Sequence, residues 1–243
     1  MLPIRDENPI NITPILTIAA IIACVAVFLW QLGGSAEAQQ LKIYRFGLIP
    51  ASLTGTASLD PRLAVVPPWL TVLTSMFMHG GFMHLAGNML FLWIFGNNIE
   101  DRLGHGRFAL FYVASGLAAA AAQVALDPDS MVPMVGASGA ISGIMGAYMV
   151  LYPRAQVVTL IFLGFFVTTM RIRAIWYLGL WGLIQLVSTV FMQPGEGGVA
   201  FAAHLGGFVA GIGLIFLMSP PRAPRPPRTP RRRVPRYRRG PWG

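Results

Sequence analysis

The chain has 243 residues, 55% of them apolar and only 11% charged, whereas a soluble domain carries roughly 25% charged residues. That composition excludes an ordinary soluble domain and indicates a single polytopic membrane domain. The formal charge of +9 is not spread over the chain: nine basic residues follow Pro220, and the other nine balance the nine acids. The apolar body is neutral, so the excess charge is not the signature of a nucleic-acid-binding domain. The single cysteine, Cys24, lies in an apolar run, which rules out an internal disulfide and suits a packing role.

Residues 1–13 are short and polar, with Arg5, Asp6 and Glu7 nearly cancelling. The apolar run that follows is too long for a cleavable signal and has no small-residue cleavage site at its end. Pro14 to Leu32 is therefore expected to be a first spanning helix, ended by Gly33 and Gly34. Residues 33–70 mix prolines with apolar islands such as FGLIPASL. They are expected to form a partly ordered first loop in the membrane interface or against the helices, with Trp69 at the interface.

A second span is expected from Phe82 to Ile99, closed by Glu100, Asp101 and Arg102. His84 and Asn88 share one face of its first turns, and His79 just before it is expected to pin the loop. The third span runs from Phe108 to Leu126, with alanines that permit close helix contact, and the acidic loop DPDSMVPMV follows. The fourth begins at Ser138 and meets Pro153 and Arg154, which leaves about fifteen residues, or roughly 22 Å at 1.5 Å each. A helix that short does not cross a core of about 30 Å alone, so a recessed, hydrated pocket is expected beside Ser138.

Val157 to Met170 is apolar but short and lies between Arg154 and the pair Arg171 and Arg173; it is expected to be a non-spanning segment. The fifth span is Ala174 to Met192, followed by the QPGEGG loop, and the sixth is Val199 to Met218, with His204 near its start. The expected fold is an all-α bundle of six transmembrane helices over residues 14–218. From Ser219 the tail alternates proline and arginine, cannot bury a core, and is expected to be disordered or extended. On the cytoplasmic side it would be drawn to anionic lipid, a use that fits its composition better than nucleic-acid binding.

With six spans and both termini inside, the inner side collects Arg5, Arg102, Arg107, Arg154, Arg171, Arg173 and the tail arginines, against Lys42, Arg45 and Arg62 outside. This is the arrangement that the positive-inside rule selects. The second, fourth and sixth spans then run in the same direction, which brings His84, Asn88, Ser138 and His204 to one depth. Small residues at four-residue spacing, and polar groups between helices, are also explained by packing alone. Packing gives no reason for four polar groups to share one level, and that coincidence favours a site.

The chemistry of such a site follows from the residue types. A serine hydroxyl becomes a nucleophile when a neighbouring base takes its proton, and the His204 imidazole is suited to that task. Gly139 with Gly143, and Gly207 with Gly211, would let the fourth and sixth helices approach closely enough for direct contact. Asn88, His84 and the Ser138 amide at a helix N-terminus are candidate donors for an oxyanion. No carboxylate is placed to orient His204, so the expectation is a dyad.

HGGFMHLAGN with NNIEDRLG, then GASGAISG, then AHLGGFVAG, in this order, resemble the rhomboid intramembrane serine proteases over about residues 10–218. The resemblance implies Ser138 as nucleophile, His204 as base, His84 and Asn88 as oxyanion-hole residues, and Glu100 as an acid bracing the inner end of the second span. It also implies transmembrane protein substrates with small or helix-breaking residues near the cut. No cofactor is required, and no metal site is visible, since the spacing of His79 and His84 does not put both on one helical face. The sequence departs from the family pattern at Thr71, where many relatives have arginine, and at Ser142, where many have an aromatic residue supporting the histidine ring. A catalytically inactive scaffold that binds membrane helices is the alternative, but such a protein would be expected to lack Ser138 or His204. A transporter would need ionisable residues along a path, and the spans are nearly free of them. The short termini and the absence of a transit peptide suggest a bacterial inner membrane.

Overall fold

In the computed structural model, which describes residues 1–164, 166–191 and 199–220, each of the six apolar runs is helical. The first is α1 (Ile15–Gln31). The first loop carries two helices, α2 (Ala36–Phe46) and α3 (Pro50–Thr54), and α4 (Pro68–Thr74) leads toward the second run. That second run is α5 (Phe82–Phe91), one widened π turn (Leu92–Gly96) and α6 (Asn97–Leu103) in direct succession. Then come α7 (His105–Leu126), α8 (Ser138–Leu151), α9 (Ala174–Phe191) and α10 (Phe201–Met218). By length and composition α7, α9 and α10 are long and apolar enough to cross a membrane, whereas α1 and α8 are shorter apolar helices.

The architecture is not all-α. Leu2–Asp6 (β1), Gln156–Leu163 (β2) and Phe166–Arg173 (β3) form an antiparallel sheet in the order β1-β2-β3, with Leu2 opposite Leu160 and Val157 opposite Ile172. The Val157 to Met170 run is thus a hairpin. Its β-branched and aromatic residues fit a pleated surface better than a helix, and the polar N-terminal segment supplies its third strand. The expectations for the QPGEGG loop, Met192 and the proline–arginine tail from residue 221 fall outside the described residues.

The N-terminal segment is clamped to the end of the second run. The Glu100 carboxylate is fully buried and accepts from the Leu16 amide (2.9 Å), the Thr17 amide (2.8 Å) and the Thr17 hydroxyl (2.7 Å). Those amides are the unpaired donors of the first turn of α1, which has no side-chain cap of its own, so Glu100 caps that helix from a distance. His105 Nδ1 lies 2.6 Å from Glu100 Oε1, the oxygen that also accepts from the Leu16 amide. Asp101 accepts in turn from the backbone of Asn11 and Ile12.

The first loop is ordered against the helices, with Leu48, Ile49 and Ala51 buried and Leu48 bridged to Met134. The segment before α5 is tied to α1 by a reciprocal pair: the His79 amide donates to Gln31 Oε1, and Gln31 Nε2 donates to the His79 carbonyl, each at 3.0 Å. His79 is therefore a pin for this loop. Its ring is buried, and burial, with a smaller contribution from His84 beside it, lowers the imidazole to about 4.

At the centre α8 packs against α7 and α10 with little side chain between them. A Cβ on Gly207 would collide with the Gly139 carbonyl, and one on Gly211 with the Gly143 carbonyl. The two glycine pairs on α8 and α10 therefore bring backbone against backbone.

Candidate active site

The chain reaches α8 through Gly136, whose φ of +132° few side chains tolerate. Two residues later Ser138 opens the helix, with its hydroxyl on the side facing α10. Ser138 Oγ is 2.8 Å from His204 Nε2, and His204 stands in the first turn of α10. The close glycine packing of the two helices is what lets side chains this short meet.

The histidine ring is held from a third helix. His204 Nδ1 lies 2.9 Å from Gln185 Oε1 on α9, and Gln185 is buried. An amide oxygen only accepts, so Nδ1 carries the proton and Nε2 is left free to accept from the Ser138 hydroxyl. One turn earlier on α9, the Trp181 ring packs against the imidazole, with centroids 5.9 Å apart and planes inclined by 37°. The aromatic support absent at Ser142 is thus supplied by α9. Ser142 instead donates to the Ser138 carbonyl at 2.6 Å.

Sequence reasoning did not single out Gln185 or Trp181. The sequence does carry a signal for Gln185, because a lone amide inside an apolar run is as costly as His84 and Asn88 are in α5. Trp181 had no such signal among the apolar residues of α9.

Ser138, His204, His84 and Asn88 all line one cavity of about 700 Å³, walled further by α7 and by the loop before α8. The Asn88 side-chain nitrogen is buried there and has no hydrogen-bond partner among the described residues. A donor desolvated without a partner is costly, and Asn88 is one of the residues that line the cavity with Ser138. His84 Nδ1 accepts a long, 3.4 Å hydrogen bond from the Gly80 amide, which leaves the proton on Nε2. A Cβ on Gly136 would lie 2.9 Å from His84 Nε2 and 3.4 Å from Ser138 Oγ, so glycine keeps the space between these two groups clear. His79 does not line the cavity but meets the His84 ring edge-on, with centroids 5.3 Å apart.

Chemically, the site offers a hydroxyl beside an unprotonated imidazole nitrogen, with two side-chain donors across a cleft. Among the described residues, no group of three or more His, Cys, Asp or Glu side chains is gathered as a metal centre.

Residues 67–221 match the model of the Rhomboid domain. Among curated proteins, the chain is 42% identical over 81 residues to the Bacillus subtilis (strain 168) protein named Rhomboid protease GluP, covering 33% of this chain and 15% of that protein. It is 30% identical over 171 residues to RHOMBOID-like protein 5 of Arabidopsis thaliana, covering 70% and 51%. It is also 37% identical over 81 residues to the Putative rhomboid protease YdcA of Bacillus subtilis (strain 168), covering 33% and 40%. The matched part is about half or less of each of these relatives' length. The domain match covers more than half of the chain, which therefore belongs to the rhomboid family of multi-pass integral membrane proteins.

Proposed function

We propose that the chain is an intramembrane serine endopeptidase that cuts transmembrane segments of other membrane proteins. The observation that carries this reading is the 2.8 Å approach of Ser138 Oγ to His204 Nε2 inside the cavity. Relatives named as rhomboid proteases support the reaction class.

In the first step Ser138 Oγ bonds to the carbon of the scissile peptide carbonyl while its proton passes to His204 Nε2. The electron pair of the C=O bond moves onto oxygen. Asn88 Nδ2, His84 Nε2–H and the Ser138 amide are the donors for that charge, and one such donor is worth about 3 to 4 kcal/mol in the transition state. The C–N bond then breaks as His204 gives its proton to the leaving nitrogen, and Ser138 is left as an acyl ester. Water attacks the ester and loses its proton to His204, which returns it to Ser138 Oγ as the acid departs. Gln185 keeps the imidazole in the tautomer that both steps need.

In this reading the six helical runs are six spans, both termini are cytoplasmic, and the membrane is a bacterial inner membrane. Residues 14–218 form the membrane domain, and the tail from Ser219 lies on the cytoplasmic side near anionic lipid. The 14 residues of α8 extend about 21 Å, so Ser138 sits below the outer surface, where a substrate helix enters from the bilayer. The interior end of a helix is a poor place for a peptide bond to be attacked, so small and helix-breaking residues are expected around the cut.

Covalent trapping tests the reading. A fluorophosphonate probe is expected to modify Ser138 in the native chain, as read by peptide mass spectrometry, and to modify His204→Ala far more slowly. Failure to label Ser138, or equal labelling without His204, would overturn it.

A further inference from the structure

The sheet is not used by the chemistry above, and its outer half is unlike the surface of a soluble protein. Toward the turn of the hairpin, Phe162 and Phe166 are 58% and 79% exposed, and Val167 and Met170 are also open. The base is basic: Arg5, Arg154 and Arg173 are exposed and, among the described residues, none of them is paired with an acid, whereas Arg171 meets Glu7 at 3.2 Å. The hairpin begins just after α8 ends and runs directly into α9. Trp176, in the first turn of α9, is 68% exposed, and an exposed tryptophan at the end of an apolar helix is typical of the membrane–water boundary.

We infer that the β1-β2-β3 sheet lies in the lipid headgroup layer, with its apolar turn seated at the boundary of the acyl chains and its arginines on anionic headgroups. Depth is bounded on both sides. Large apolar side chains at the turn favour leaving water. Among the described residues no strand lies beside the outer edge of β3, and unpaired amide and carbonyl groups are not tolerated in the hydrocarbon core. The headgroup layer satisfies both demands, because it offers acyl contact for Phe162 and Phe166 and water or phosphate for the edge. The basic base selects anionic lipid as the occupant over neutral lipid or a second copy of the chain.

The single native cysteine, Cys24, is buried, so spin labels can be placed in the full chain one at a time. Phe166→Cys and Val167→Cys, labelled with a nitroxide in nanodiscs of phosphatidylethanolamine and phosphatidylglycerol, test the seat by collision with oxygen and with a water-soluble nickel chelate. The oxygen-to-nickel ratio is expected to be at least several-fold higher than for Ser58→Cys at an exposed position of the first loop. It is expected to fall when phosphatidylcholine replaces the anionic mixture, and when Arg154→Gln and Arg173→Gln are combined. A high nickel collision rate at both positions would put the turn in water, and low rates for both reagents would put it against protein. Either result, or a ratio indifferent to lipid charge, would overturn the inference.

Discussion

Gln185 Oε1 and His204 Nδ1 are 2.9 Å apart, and the two residues come from neighbouring helices, α9 and α10. The contact decides which imidazole nitrogen is available to Ser138. Gln185→Leu is expected to lower kcat about tenfold, the worth of one hydrogen bond of about 1.4 kcal/mol, with KM little changed. Gln185→Glu places a carboxylate beside the ring, which favours the imidazolium and moves the acid limb of the pH–rate profile to higher pH. A purely structural role for Gln185 would move stability and leave that limb in place. Steady-state kinetics over pH 5 to 9 separates the two.

Asn88 and His84 are read as oxyanion donors, so their loss should appear in kcat. Asn88→Ala is expected to lower kcat by about 10² to 10³, as removal of one donor does elsewhere. KM for a transmembrane substrate should stay within a few-fold, because the donor acts where charge develops. The measurement is initial-rate kinetics in nanodiscs for the native chain, Asn88→Ala and His84→Ala.

Glu100 holds the start of α1 with acceptor oxygens that no water reaches. Glu100→Ala leaves the Leu16 and Thr17 donors buried without a partner, at a cost of about 3 kcal/mol or more. A marked drop in thermal unfolding temperature is expected in detergent. Activity at low temperature should fall much less than it does in Asn88→Ala, since Glu100 is remote from the cavity.

His79 gives the fold a pH dependence of known sign. Its imidazole is near 4 when folded and about 6.5 when unfolded, so between these values the unfolded chain takes up a proton that the folded chain refuses. This part of the stability is complete above about pH 6.5 and declines as pH falls toward 4, by up to about 3 kcal/mol. His79→Phe keeps the backbone pair with Gln31 and is expected to flatten that part of the profile. Unfolding followed at several pH values in detergent checks it.

The sequence made the helical runs legible because long apolar segments between glycines, prolines and charges leave few alternatives. Ser138 at a helix start, and the glycine pairs of α8 and α10, were readable for the same reason: small residues at helical spacing forecast backbone contact. The sheet was less legible. β1 pairs with β2 across most of the chain, and the hairpin has a continuous apolar run in place of strict alternation, so only its β-branched content hinted at strands. Gln185 is a lone amide in an apolar run, and its partner on α10 depends on helix packing that spacing along the chain does not specify. Trp181 could not be placed on His204 without knowing how α9 packs beside α10.

The measurement closest to the central claim is cleavage of a model transmembrane substrate by the purified full chain in nanodiscs. The native chain is expected to cut it, and Ser138→Ala and His204→Ala are each expected to reduce turnover by about 10⁴-fold or more, as loss of a nucleophile or its base does. Equal turnover by the native chain and either variant would contradict the account.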